Sequence, residues 1–293
     1  MKAHSYFSLG ASLYTPANHI GLARTLENGV GSTKSLVVCT EDAVSEEELP
    51  SALVSLEKAL LVAPVSVKFV RYLRPRNAEV LAQVLRMPNI ERFDGFVLPK
   101  CDLDTLPEYL SLIEASGLPF QIMPTIESIA MTSKENLNWM REILDKSALT
   151  VTCIRIGGND LLSECGMKRT PGVSIYDTPI KQLIDSILLA FRPFGYEISA
   201  PVFDVINDVT TLKLELQHDL AYGFWAKTAI HPSQVQVIED SYRQYVEENA
   251  VNANSLLLSK DAVYQVSGQM MEITCHSNWA HRVLNLAQSV NNW

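Results

Sequence analysis

The sequence predicts an α/β chain folded as a (β/α)8 TIM barrel with a C-terminal helical extension. Eight short, apolar, β-branched runs alternate with longer amphipathic stretches, the pattern of buried parallel strands covered by helices. Polar residues close these runs at a step of roughly thirty residues, the length of one β-loop-α-loop unit. The chain has 293 residues and 47% hydrophobic composition, enough for a single barrel, which typically takes about 250 residues, and a tail.

The runs are GASLYTP, SLVVCTED, SVKFVRYL, DGFVLPK, FQIMPTIES, TVTCIRIGGND, EISAPVFD and GFWAKTAIHP. Each is nearly continuously apolar and ends in a polar residue or proline. Between them, SEEELPSALVSLEKALL opens with Ser45-x-x-Glu48, the spacing of a capping box, and TPIKQLIDSILLAFRPFG has helical periodicity. The strand-end residues Glu41, Arg71, Lys100, Glu127 and Asp160 should converge on one face, where barrels of this kind build active sites. A doubly wound open sheet is the structural alternative, but GASLYTPANH lacks the GxGxxG of its first turn. The barrel is assigned to residues 1–232. Residues 233–293, a helix followed by a short polar segment and a last helix around NWAHRVLNLAQSV, form an extension that packs on the barrel, closes over the site as a lid, or reaches a neighbouring subunit.

Charge and composition narrow the partners. A formal charge of -9 argues against nucleic acid, so an anionic substrate must be held by a few local cations. No run approaches the 18 apolar residues of a membrane helix, and the N-terminal segment is a poor signal peptide. The five cysteines form no CxxC pair, which points to reduced thiols in a cytoplasm.

Glu127 and Asp160 close consecutive strands, so a barrel sets their carboxylates side by side. Unaccompanied, they would repel and one would take up a proton; a hard divalent ion such as Mg2+ resolves the conflict and leaves positions for water and substrate oxygens. The alternative for Asp160 is a helix cap. Arg71 lies in an apolar strand and needs a partner, either a substrate carboxylate on its planar fork or an internal salt bridge to Glu41 or Asp42. Asp42 can equally cap the next helix, which leaves Glu41 the stronger site residue. Arg74 and Arg76 are expected to face solvent, and Lys100 and Lys227 to form structural ion pairs. ENGVGSTKS precedes a strand instead of following one, so it is no P-loop. In RIGGNDLL the glycines are expected to let a ligand or metal approach the backbone.

The ordered set TEDAV, VRYL, DGFVLPK, TIES, GGNDL and GFWAKTAIHPSQ resembles the citrate lyase beta-subunit-like proteins of the HpcH/HpaI aldolase superfamily. The resemblance spans all eight runs. It implies an oligomeric barrel, a trimer or hexamer, acting as a Mg2+-dependent carbon-carbon lyase on a 2-keto or 2-hydroxy acid or its thioester. It also implies that Glu127 and Asp160 hold the metal, Arg71 grips the substrate carboxylate, and Glu41, Asp42 and Tyr14 border the pocket. The tail motif GQMMEI sets Glu272 where relatives carry an aspartate that enters a neighbour's site as acid/base. Three departures stand out: Cys39 replaces the leading aspartate of the second-strand motif, strand six ends in GGND, and NHIGLARTLEN keeps only Arg24 where relatives grip CoA phosphates with lysines. The last counts against a CoA thioester and favours a class II pyruvate-type aldolase on free acids. A non-catalytic barrel subunit of a biosynthetic complex is the remaining alternative.

Overall fold

In the computed structural model, which describes residues 4–266 and 268–291, the eight expected runs form one parallel sheet rolled into a barrel. Residues 1–3 and 292–293, at the ends of the two assigned regions, and Ser267 within the tail lie outside the described residues. The strands are β1 (Gly10–Pro16), β2 (Ser35–Cys39), β3 (Val70–Arg74), β4 (Gly95–Leu98), β5 (Gln121–Ile126), β6 (Thr150–Val151), β7 (Ile154–Ile156), β8 (Ile198–Ser199) and β9 (Ala226–Ala229). The sixth run is split: β6 pairs with the start of β5, while β7 pairs with its end and with β8. The hydrogen-bonded order is β8-β7-β5-β4-β3-β2-β1-β9, and a bridge from Ala200 to Lys227 closes the ring.

Strand parity sorts every side chain, because successive residues point to opposite faces. Leu36, Val38, Leu73, Phe96, Leu98, Ile122, Ile126, Ile154 and Ile156 face outward into the layer between sheet and helices. Val37, Val70, Tyr72, Val97, Met123 and Cys153 share the inner cluster. Outside the ring run α1 (Leu22–Asn28), α2 (Leu49–Val62), α3 (Ala78–Val84), α4 (Thr105–Ala115), α5 (Lys134–Lys146), α6 (Gly158–Glu164), α7 (Ile180–Phe191) and α8 (Val209–Ala221). In α7 the buried Ile180, Ile184, Ile187 and Phe191 form one stripe at helical spacing. Ser45 and Glu48 do make the reciprocal bonds of a capping box just ahead of α2.

The long helix α9 (Pro232–Leu258) begins at the expected boundary, capped by His231, but its first half packs on β1 and α8 as the eighth helix of the barrel. At 1.5 Å per residue it runs about 40 Å and so passes beyond the barrel wall. A hairpin of β10 (Val263–Val266) and β11 (Gln269–Glu272) then leads into α10 (Ile273–Asn291). Ala253, Leu256, Ala280, Val283 and Leu286 are buried with Tyr6, Leu9, Val70 and Trp225, residues at or before the starts of strands. Arg282 fixes α10 there, bidentate to Glu197 at 3.1 and 2.7 Å. The tail therefore seals the N-terminal end of the barrel and is not a lid over this chain's own strand-end face. No helix among the described residues is long and apolar enough to cross a membrane.

Candidate active site

The C-terminal ends of the strands surround a cavity of about 350 Å3 lined by residues that include Tyr14, Asp42, Arg74, Arg155, Asp160 and Asp204. Inward parity explains most of this set. Tyr14 follows Ser12 on β1, Arg74 follows Tyr72 on β3, and Arg155 follows Cys153 into β7.

Arg74 is the hub. Its Nη2 lies 2.7 Å from Glu41 Oε2, 2.9 Å from Glu127 Oε1 and 3.3 Å from Asp42 Oδ2. Burial works against its charge, yet Glu127, Tyr14 and Glu41 raise its pKa, so it stays protonated. Glu41 is 3% exposed and also accepts from Lys100 Nζ at 3.1 Å. Burial raises the Glu41 pKa against the opposing charge of Arg74. Lys100 sits at φ 46°, a left-handed conformation unusual for a residue with a Cβ, and the hydrogen bond it donates to Glu41 raises its pKa. Asp42 is the exposed member of the acidic pair.

Glu127 is 4% exposed and stands just behind the cavity wall, against Arg74 and Gly157. Burial pushes its carboxyl up to about 8, opposed by Arg74 and reinforced by the charges of Asp160, Glu41 and Asp42. Its Oε2 is buried with no hydrogen-bond partner among the described residues. Asp160 occupies the first turn of α6 and lines the cavity directly; burial and the charge of Asp42 raise its pKa against Arg74 and Lys100. No group of three or more His, Cys, Asp or Glu side chains among the described residues is arranged around a metal position. A partnerless carboxylate oxygen beside a second carboxylate, with open volume adjoining, nevertheless suits Mg2+, which needs only one or two protein carboxylates.

The glycines of RIGGND serve a different purpose from the one expected. A Cβ on Gly157 would lie 2.3 Å from Glu127 Cγ, and one on Gly158 would lie 2.8 Å from Ile175 Cδ1. They admit the protein's own side chains, and Gly157 in particular lets the Glu127 stem lie against the β7–α6 turn.

Arg71 stands apart from this cluster. Sharing outward parity with Leu73, it donates from Nη1 to the carbonyls of Pro64 at 3.1 Å and Leu26 at 3.4 Å, between sheet and helices. The arginine among the carboxylates is Arg74, three residues later and therefore on the opposite face. Glu272 is also remote: it ends β11 in the tail hairpin, where Cys275 Sγ approaches its Oε2 at 3.4 Å, and it does not line the cavity. Lys227 faces outward and pairs with Asp219 at 2.9 Å, a buried structural contact.

The cavity also takes polar residues from other runs. Asp204 closes the run EISAPVFD as Asp160 closes its own, and Asn159 Nδ2 donates to Asp204 Oδ2 at 3.0 Å. Arg155 is hidden inside an apolar run, like Arg71, but faces inward. Thr125 and Thr228 complete the polar floor beside it.

Residues 3–290 match the family described as C–C bond lyase of the TIM-barrel fold. The chain is 25% identical over 265 residues to a citrate lyase subunit beta-like protein of Deinococcus radiodurans, covering 88% of this chain and 87% of that protein. It is 26% identical over 243 residues to a (3S)-malyl-CoA thioesterase of Cereibacter sphaeroides, covering 82% and 79%. Among solved structures, CitE of Mycobacterium tuberculosis in complex with magnesium, acetoacetate and coenzyme A superposes with a TM-score of 0.70 at 20% identity, over 98% of this chain and 99% of that one. RipC of Yersinia pestis superposes with a TM-score of 0.58 at 19% identity, over 81% and 96%. Barrel, strand-end carboxylates and a family match over nearly the whole length agree: the chain belongs to the C–C bond lyases of the TIM-barrel fold.

Proposed function

We propose that this lyase acts with Mg2+ on a small 2-keto or 2-hydroxy acid, breaking or forming the bond next to its carboxylated carbonyl carbon. The observation that carries the reading is the Glu127–Asp160 pair. Burial holds two carboxylates beside one cavity, and one carboxylate oxygen has no partner. The complex of CitE with magnesium and acetoacetate, and the citrate lyase beta subunit with oxaloacetate and magnesium, both of Mycobacterium tuberculosis, agree with this choice of ion and ligand class.

Glu127 and Asp160 would hold the ion, whose Lewis acidity stabilises the negative charge that develops beside a carbonyl as the bond breaks. The remaining tasks fall to the chain. Arg74 orients Glu127 through Oε1 and neutralises Glu41, so the ring of carboxylates is preorganised. Barrel walls exclude bulk water from the floor, and Tyr14 borders the substrate there. Glu272 lies away from its own cavity, so in this reading its carboxyl serves as acid/base in the site of a neighbouring copy. The exposed Val263 and Met270 on the same hairpin support such an arm.

A free acid is favoured over a CoA thioester because the segment before and within α1 offers one cation, the exposed Arg24. Turnover of pyruvate, oxaloacetate and glyoxylate, each with and without CoA esters, separates the two. Glu127→Gln and Asp160→Asn should each abolish Mg2+-dependent turnover while leaving the thermal transition cooperative. Full activity in either variant, or in excess chelator, would overturn the metal assignment. Calorimetry with Mg2+ and oxaloacetate tests the non-catalytic alternative, which requires that metal and ligand binding be unlinked.

A further inference from the structure

The cavity holds two arginines in opposite states. Arg74 is saturated by three carboxylates, leaving it little capacity for a ligand. Arg155 is 3% exposed, and its polar partners are neutral: Nη2 donates to Thr228 Oγ1, and Nη1 approaches Met123 Sδ at 3.7 Å. Its guanidinium lies 5.6 Å from the Tyr14 ring. Among the described residues no aspartate or glutamate comes within ion-pair distance of it. A buried guanidinium without a counter-charge is costly unless something anionic joins it.

The surroundings are built for that anion. Arg155 pairs in register with Thr125 on β5, and Thr125 Oγ1 is buried with no hydrogen-bond partner among the described residues. Thr125, Thr228 and Tyr14 line the same cavity as Arg155, Thr228 with its hydroxyl on Nη2 and Tyr14 with its ring beside the guanidinium. Glu127 stands two residues beyond Thr125 on the same inward face, a step of roughly 6–7 Å along the strand. The acidic layer thus begins one inward step beyond the arginine layer, and Asp160 and Arg155 line the same cavity of about 350 Å3, a volume that suits a short diacid.

We propose that Arg155 seats a second, distal carboxylate of the substrate, so that the cavity selects a short dicarboxylic keto or hydroxy acid over its monocarboxylic counterpart. The assignment rests on the reading that the Glu127–Asp160 end receives the 2-keto or 2-hydroxy acid head with Mg2+. Arg155 then sets the length and charge of the tail that fits below.

Malate and lactate are suitable probes, since both are 2-hydroxy acids and they differ by one distal carboxylate. Calorimetric titration of the full-length protein in Mg2+ should give malate an affinity about 10- to 100-fold above that of lactate, the ratio expected for charge-assisted hydrogen bonds. In Arg155→Met that ratio should collapse to within about threefold, while lactate affinity and its dependence on Mg2+ persist. Arg155→Lys should keep part of the ratio, because a point charge replaces a bidentate fork. Should Arg155→Met fail to fold, as judged by its thermal transition, Thr228→Val serves instead: it removes the hydroxyl that positions Nη2 and should lower the ratio partway. A folded variant that keeps the wild-type ratio overturns the role of Arg155. Wild-type protein that binds neither acid, with or without Mg2+, overturns the underlying reading as well.

Discussion

The buried carboxyl of Glu127 should make the metal-free protein lose stability as pH rises, and Glu127→Gln should remove that group's share of the loss. Its pKa is raised from 4.5 to about 8 by burial, against Arg74 and with the like charges of Asp160, Glu41 and Asp42. The folded state therefore retains a proton that the unfolded chain has already released. Stability from this group is fully present below pH 4.5, declines across the window, and is lost once pH passes about 8. Each pH unit corresponds to about 1.4 kcal/mol, so the whole window is worth about 5 kcal/mol, and the interval from pH 5 to 7 about 3 kcal/mol. A glutamine cannot titrate but can still accept the Arg74 bond. Urea unfolding at fixed protein concentration, from pH 5.5 to 8 with chelator, should show the variant becoming the more stable protein toward pH 8. Added Mg2+ at pH 8 should restore the wild type and leave Glu127→Gln unmoved, because only an ionised carboxylate gains from the ion. Parallel pH profiles for the two proteins, or equal stabilisation of both by Mg2+, would refute the reasoning.

Two further perturbations bear on the same site. Arg74→Met leaves Glu41 and Glu127 buried without their shared cation and should lower kcat/KM by at least about 100-fold, a loss of about 3 kcal/mol in transition-state stabilisation; Arg71→Met should cost about 1–3 kcal/mol of stability through the Leu26 and Pro64 carbonyls with kcat/KM nearly unchanged, and the opposite pattern in steady-state kinetics would return the substrate role to Arg71. Gly157→Ala forces a Cβ to 2.3 Å from Glu127 Cγ; it should cost about 1–3 kcal/mol and weaken Mg2+ more than tenfold by calorimetry, and an unchanged metal affinity would refute the packing argument.

The placement of Glu127 and Asp160 was legible because they close consecutive apolar runs, and neighbouring strand ends in a barrel are neighbours in space. Asp204 was equally available by that rule. Arginine was harder. VKFVRYLR contains two candidates, and the choice depends on where pairing begins and which parity faces inward, neither of which the local sequence states. The structure starts β3 at Val70 and turns Val70, Tyr72 and Arg74 inward, so a step of three residues separates the outward Arg71 from the site. Arg155 carries the same ambiguity with the opposite outcome.

By itself the sequence determined the barrel, the family and the strand ends that carry polar residues. Those follow from local information: hydrophobic runs of strand length, helical periodicity between them, and short motifs in a fixed order. Only the tertiary structure decided which arginine joins the carboxylates, what the RIGGND glycines make room for, and which end of the barrel the tail seals. Each of these is a relation between distant segments. Gly157 packs on a residue thirty positions away, and α10 packs against the segment that precedes β1. Such contacts are set by sheet register and helix packing over the whole ring, and no window of the chain contains them.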